Sequence, residues 1–328
     1  MNNIHLSRRQ IVQAGLALAG SAALPARAQQ AWPTKPVRFV VPFAPGGSSE
    51  IVARAAAGEL SKLTGQNFFV DNKPGASGNI AMSEVARSDD QHTIILGHIG
   101  TLAVNPFMYS RLPYDVNKDF KPVSLLAKVP SLYVVHPDVP AKNLVEFLAL
   151  VRSKPGKFNY GSAGNGSAGH LAFEYLKMTA NVFLVHVPYK GTGPQLTDLL
   201  SGRLEAAAVG AAAILPQIKS GKLRCIATGS ARRLPQLPDV ATVAEQGFPG
   251  FEMTQWYGIL APSSMAQPSI DKLAADTAKA IRMPASVDRL NFDAAEAIGD
   301  TPAQFAQFIA AEQKRWKAVV DRAKIKAD

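Results

Sequence analysis

The chain has 328 residues, a net charge of +10 and one cysteine, with 47% hydrophobic and 18% charged residues. That length exceeds one ordinary core and favours two lobes, while the lone Cys225 excludes a disulfide framework and any thiolate metal cluster. The Lys and Arg residues are scattered, without a polybasic run, so the positive balance points to small anionic solutes rather than nucleic acid.

The first 28 residues read as a targeting segment. MNNIHLSRRQ carries no acid, residues 11–24 are small or apolar, and Ala26-Arg27-Ala28 precedes Gln29. This is the order of a secretory signal, too short in its apolar part to span a bilayer. Arg8 and Arg9 suggest the twin-arginine route, with an ordinary Sec signal as the alternative. Cleavage after Ala28 removes three arginines and no acid, which leaves 328 − 28 = 300 residues of net charge 10 − 3 = +7 for the periplasm.

After Pro36, β-rich runs alternate with amphipathic stretches. VRFVVPF is followed by IVARAAAGELSKL, QNFFVDN by NIAMSEVAR, and HTIILGHI by TLAVNPFMY. FNYGS then leads to HLAFEYLKMTA, VFLVHVPY to PQLTDLLSG, and LEAAAVG to AILPQIKSG, before LRCIAT. The alternation predicts β-α units and a largely parallel sheet. Residues 122–140 and 251–262 are β-rich without a helix and read as crossings between lobes. That places residues 29–130 and 251–328 in lobe 1 and 131–250 in lobe 2. Thr301-Pro302, an N-cap followed by proline at the first helical position, opens a C-terminal helix expected to dock on lobe 1.

Four loops share one chemistry. FAPGGSSE (43–50), KPGASGN (73–79), GSAGNGSAGH (161–170) and YKGTGP (189–194) each follow a strand, open a helix and are rich in Gly or Ser. Helix N-termini present unpaired N–H groups and the positive end of the macrodipole, so such loops can capture an anion by backbone. Ligands in open α/β sheets lie at the carboxyl ends of strands, which puts the site in a cleft between lobes. Tight turning alone is the competing explanation for any one loop.

Enzymatic constellations are harder to find. Residues 164–169 spell G-x-G-x-x-G, and an exported NAD(P)-dependent oxidoreductase is the alternative this loop raises. The strand after it ends in Pro188 and Tyr189, where an acidic ribose ligand should stand. Neither a P-loop nor G-x-S-x-G occurs. His92, His98, His136, His170 and His186 form no zinc pattern. His92, His136 and His186 read as packed in or beside strands; His170 could cap, pack or donate to a ligand, and Lys190 could act as a counter-ion. No set of nucleophile, base and orienter emerges, so neither catalysis nor a cofactor or metal is expected.

The signal, VRFVVPFAPGGSSEIVAR, NKPGASGNI, NYGSAGNGSAGHLAFEYLK, HVPYKGTGPQLTDLLSGRLE, the run from LPQIKSG to FPGF, and WYGILAP occur in an order that resembles the Bug receptors. These are the TctC-type periplasmic solute-binding proteins of tripartite tricarboxylate transporters. The resemblance implies a two-lobed α/β fold of the Venus flytrap kind (type II-like), closing on a small organic carboxylate. It also implies membrane permease subunits as partners, or a sensor protein in a signalling variant. By this likeness the ligand is held by Ala44, Gly46, Gly47 and Ser48 of the first loop and by Ser77, Gly78 and Asn79 of the second, partly through water. Opposite them stand Ser162, Gly164, Gly166, Ser167, Tyr189, Lys190 and Gly191. Two departures qualify the likeness. Glu50 replaces the family's common Asp, and Val209 stands where many members carry an Asp able to receive a ligand ammonium or hydroxyl. Loss of the acid at 209 argues against an amino-acid ligand, and a roomier, more apolar wall brings aromatic or chlorinated acids into range.

Overall fold

A computed structural model of the chain describes residues 32–323, 325 and 326, so the targeting segment lies outside the described residues. In chain order, β1 (Val37–Val41) leads to α1 (Ser48–Thr64), β2 (Phe68–Asn72) to α2 (Asn79–Ala86), and β3 (Thr93–His98) to a π-helical turn (Gly100–Val104) and the short α3 (Asn105–Met108). β4 (Phe120–Val135) follows, then α4 (Leu144–Ser153), β5 (Asn159–Ser162), α5 (Ala168–Ala180), β6 (Val185–Pro188) and α6 (Thr192–Leu200). The remainder comprises β7 (Ala206–Gly210), α7 (Ala211–Lys219), β8 (Arg224–Thr228), β9 (Thr254–Pro262), α8 (Gln267–Ile281), α9 (Pro284–Phe292), β10 (Glu296–Ala297) and α10 (Pro302–Ala323).

The strand order is β2-β1-β3-β9-β4-β7-β5-β6, with β8 and β10 also pairing β4. β1 is parallel to β2 and β3, and β5 is parallel to β6 and β7, as β-α units require. The centre departs from the parallel expectation, because β9 is antiparallel to both β3 and β4. β4 binds the two halves of the sheet. From Phe120 to Pro130 it pairs with β9, and from Ser131 to Val135 it pairs with β7 and β8. Proline cannot donate to a ladder. Accordingly, Pro122 sits at a register shift and Pro130 where the strand changes partners.

Alternation along the strands sends side chains to two apolar layers. Val40, Ile95, Leu125 and Tyr133 face one layer, and Phe39, Ile94, Leu96, Leu132 and Val134 face the other. Both layers are continuous across the β4 junction, so closely packed sheet, rather than loop, joins the halves. Pro302 begins α10, whose Phe305 and Trp316 are buried against Trp256 and its layer.

Candidate functional site

Four helices start around one cavity. Ser48 and Ser49 open α1; Ser167, Ala168 and Gly169 open α5; Thr192 opens α6; and Gly210 precedes α7. All of these residues line the cavity, whose volume is about 30 Å³. The N-caps of α1, α6 and α7 are Gly47, Gly191 and Gly210, which supply no side-chain oxygen to the first-turn N–H groups. Those donors and the positive ends of the macrodipoles are therefore available to an anion. Of these four helices only α5 has a side-chain cap, where Ser167 Oγ accepts the His170 N–H at 3.4 Å and keeps its own proton for donation.

The other walls come from strand ends and carry no Asp, Glu, Lys or Arg. His98 ends β3, Ala208 and Val209 end β7, and Gln255 and Tyr257 project from β9. Tyr257 donates to Gln255 Oε1 at 2.6 Å, and Gln255 Nε2 donates to Ser131 Oγ at 3.3 Å. Gln195 Nε2 is engaged by Gly161 O at 2.9 Å. Burial raises the Tyr257 phenol well above its ordinary range and pushes the His98 imidazole down to about 4. Both groups are neutral at physiological pH, so the cavity's electrostatics are set by helix ends and hydroxyls.

The residues expected from sequence separate into three groups. Ser48 and Ser167 line the inner cavity. Ser77, Gly78, Gly164, Tyr189 and Lys190 line an adjoining outer cavity of about 340 Å³ that shares Phe43 and Ala163 with the inner one. Lys190 is exposed there, and the Tyr189 hydroxyl is turned away to Asp198 at 2.8 Å. The rest lie in neither wall. Ala44, Gly46, Gly47 and Gly191 form a seam between the first and fourth loops: a Cβ on Gly191 would meet Ala44, one on Gly47 would meet Thr192, and one on Gly46 would meet Gly193.

Asn79 and Ser162 are held by their own neighbours instead of facing the cavities. Asn79 Oδ1 accepts Asn105 Nδ2 at 2.7 Å and the Tyr114 hydroxyl at 3.0 Å. Ser162 Oγ lies 2.6 Å from His186 Nε2 and accepts the Gly164 N–H. Gly166 lies at the seam as well, where a Cβ would come 2.8 Å from both Asn105 Oδ1 and Met108 Cε. That packing fills the space beside Gly166, while Gly164 and Ser167 on either side of it face the two cavities. His170 accepts the Gly166 N–H at 3.0 Å and stacks 4.2 Å from His186. Glu50 also leaves the site alone: its carboxylate accepts Gly46 N–H and pairs with Arg54 at 2.7 Å.

Sequence reasoning passed over His98, Gln255 and Tyr257. These sit in apolar strands whose pattern reads as core. What brings two of them together is the β3–β9 register, in which His98 and Tyr257 are opposed.

Two buried histidines predict acid lability. His98 titrates at about 4 and His186 at about 3 in the folded chain, both lowered chiefly by burial, against an ordinary value of 6.5. Above pH 6.5 both are neutral folded or unfolded. Below it only the unfolded chain takes up protons, so their stabilising effect is lost as pH falls toward the folded values. His98 alone accounts for a loss on the order of 3 kcal/mol by pH 4. Urea midpoints between pH 7 and 4.5 should fall, and less steeply in His98→Gln; identical slopes would remove His98 from this account.

With this geometry in hand, the relatives are informative. The family described as the tripartite tricarboxylate transporter family receptor matches residues 52–325. A UPF0065 protein in the tcbD-tcbE intergenic region of Pseudomonas sp. strain P51 is 36% identical over 328 residues, covering 99% of this chain and 97% of the relative. Among solved structures, Rpa4515 of R. palustris with adipate is 35% identical with a TM-score of 0.87, covering 90% of this chain and 99% of that one. MatC of Rhodopseudomonas palustris with bound malate is 34% identical with a TM-score of 0.84, covering 88% and 100%. The chain belongs to the TctC family of tripartite tricarboxylate transporter receptors.

Proposed function

We propose that this chain is an exported receptor that captures a small organic carboxylate between its lobes and hands it to the membrane subunits of a tripartite transporter. One observation carries the reading: helix N-termini, three of them capped only by glycine, surround a cavity whose walls hold no charged side chain. An anion gains there from backbone donors and macrodipoles, whereas a ligand ammonium finds no carboxylate. The adipate and malate of the solved relatives belong to the same chemical class. No helix among the described residues is long and apolar enough to cross a membrane, which suits a receptor that meets its permease from outside.

The lobe boundaries proposed are those of the strand crossings, residues 29–130 with 251–328 against 131–250. The change of β4 partners between Pro130 and Ser131 supports them. The ligand-binding set proposed is Ser48, Ser77, Gly78, Gly164, Ser167, Tyr189 and Lys190 together with the inner wall. In this scheme Ala44, Gly46, Gly47, Gly166 and Gly191 serve closure, while Asn79 and Ser162 brace their loops.

A thermal-shift screen of the mature protein tests the reading. Dicarboxylates and aromatic acids should raise the melting temperature, by the equivalent of about 2.7 kcal/mol at a hundred times the dissociation constant. Amino acids and NAD(P)H should leave it unchanged. Stabilisation by NAD(P)H instead of acids would overturn the receptor reading, and an intact mass beginning at Met1 would overturn cleavage after Ala28.

A further inference from the structure

Two buried polar atoms in the wall of the inner cavity have no partner in the protein: His98 Nε2 and Ser48 Oγ. The polar side chains that β9 presents beside them are committed to other acceptors, since Tyr257 donates to Gln255 and Gln255 to Ser131. His98 is 3% exposed and Ser48 is 4% exposed. Native chains rarely leave such atoms unpaired, because the desolvation cost is not recovered. Two orphans in one cavity therefore point to a group that is supplied from outside.

The backbone fixes the chemistry of the imidazole. His98 Nδ1 accepts the Thr101 N–H at 3.0 Å, and a peptide nitrogen can only donate. A neutral ring that accepts at Nδ1 must carry its one proton at Nε2. The Phe43 ring, 4.5 Å away by centroid, packs on the imidazole and holds its plane. The unpartnered atom is thus an N–H donor with a set direction, and the Ser48 hydroxyl at the start of α1 is a second, rotatable donor.

We infer that His98 Nε2–H and Ser48 Oγ–H are specificity-determining donors that receive oxygen of the ligand's carboxylate at the lobe 1 side of the cavity. The inference rests on the carboxylate reading and adds to it His98, a recognition element outside the four glycine-rich loops. It makes His98 a residue that touches ligand, selecting for an acceptor at that end, because a donor placed there would meet the fixed His98 N–H.

Titration calorimetry with adipate and malate, on wild type and on His98→Phe, His98→Gln and Ser48→Ala, tests it. His98→Phe should bind the tighter acid about ten- to a hundredfold more weakly, the range for a hydrogen bond to a charged group. His98→Gln should restore most of that loss, since its amide can accept from Thr101 and donate into the cavity, which a purely packing role would not reward. In wild type, the His98 Nε2–H proton resonance should move when acid is added.

Unchanged affinity in a folded His98→Phe, or a resonance that stays put at saturation, overturns the inference alone. Should His98→Phe fail to fold, the wild-type resonance decides. A folded wild type that binds neither these acids nor any other carboxylate overturns the site reading and this inference with it.

Discussion

Val209→Asp is expected to abolish carboxylate capture while leaving the chain folded. Val209 ends β7 in register with Leu132, is 4% exposed and lines the inner cavity beside Gly210, the N-cap of α7. An aspartate there would be stabilised as an anion by the helix end. It would occupy the N–H donors that the ligand needs and would repel the incoming carboxylate. Juxtaposed like charges cost several kcal/mol, so affinity for adipate, which offers no hydroxyl to an Asp at 209, should fall by at least about a hundredfold.

The same change supplies what the cavity otherwise lacks, a partner for an ammonium group. Amino acids, silent against wild type, should then give measurable heats. Val209→Asn separates charge from shape and should lose far less. If Val209→Asp bound dicarboxylates as wild type does, with an unchanged melting temperature, position 209 would not face the ligand and the selectivity argument would fail.

The fold was largely legible because its β-α units are short-range. Most apolar runs and the amphipathic stretches after them read correctly from periods of 2 and 3.6, and Thr301-Pro302 marked the start of α10. The antiparallel centre was less visible, since pairing of β9 with both β3 and β4 depends on residues far apart in sequence. TLAVNPFMY shows the limit of local reading: its apolar residues suggested one helix, yet the chain makes a π-helical turn before α3.

The candidate site was legible where glycine and serine mark helix starts, and opaque elsewhere. Ser48 and Ser167 were visible because loop chemistry is local. His98 and Tyr257 were not, because a polar residue in an apolar strand looks the same whether it is satisfied or aimed into a cavity. Asn79 illustrates the converse. It stands in one of the four glycine-rich loops, but Asn105 and Tyr114 engage its side chain. Val209 was singled out by resemblance alone; the run of alanines around it carries no signal of a wall.

Gly166→Val should eliminate binding by a route different from the one its loop first suggests. The residue has φ +69°, and an added Cβ would meet Asn105 and Met108 across the seam at 2.8 Å rather than a ligand. A β-branched residue is poorly tolerated in that left-handed region, at roughly 1–3 kcal/mol. The larger effect is on closure, because each half of the sheet keeps its own strands and helices while the seam is wedged apart. Capture requires the closed form, so affinity should fall by the population that can no longer close.

Small-angle scattering of wild type should show a smaller radius of gyration with saturating acid, as hinge closure demands. Gly166→Val should show no contraction at the same concentration. Ser167→Ala provides the contrast: it removes one hydroxyl from the cavity wall without touching the seam. It should close normally and bind about ten- to a hundredfold more weakly, the equivalent of roughly 1.5–3 kcal/mol. Contraction of Gly166→Val with wild-type affinity would show that the seam tolerates the added bulk, and the glycine at 166 would then need another explanation.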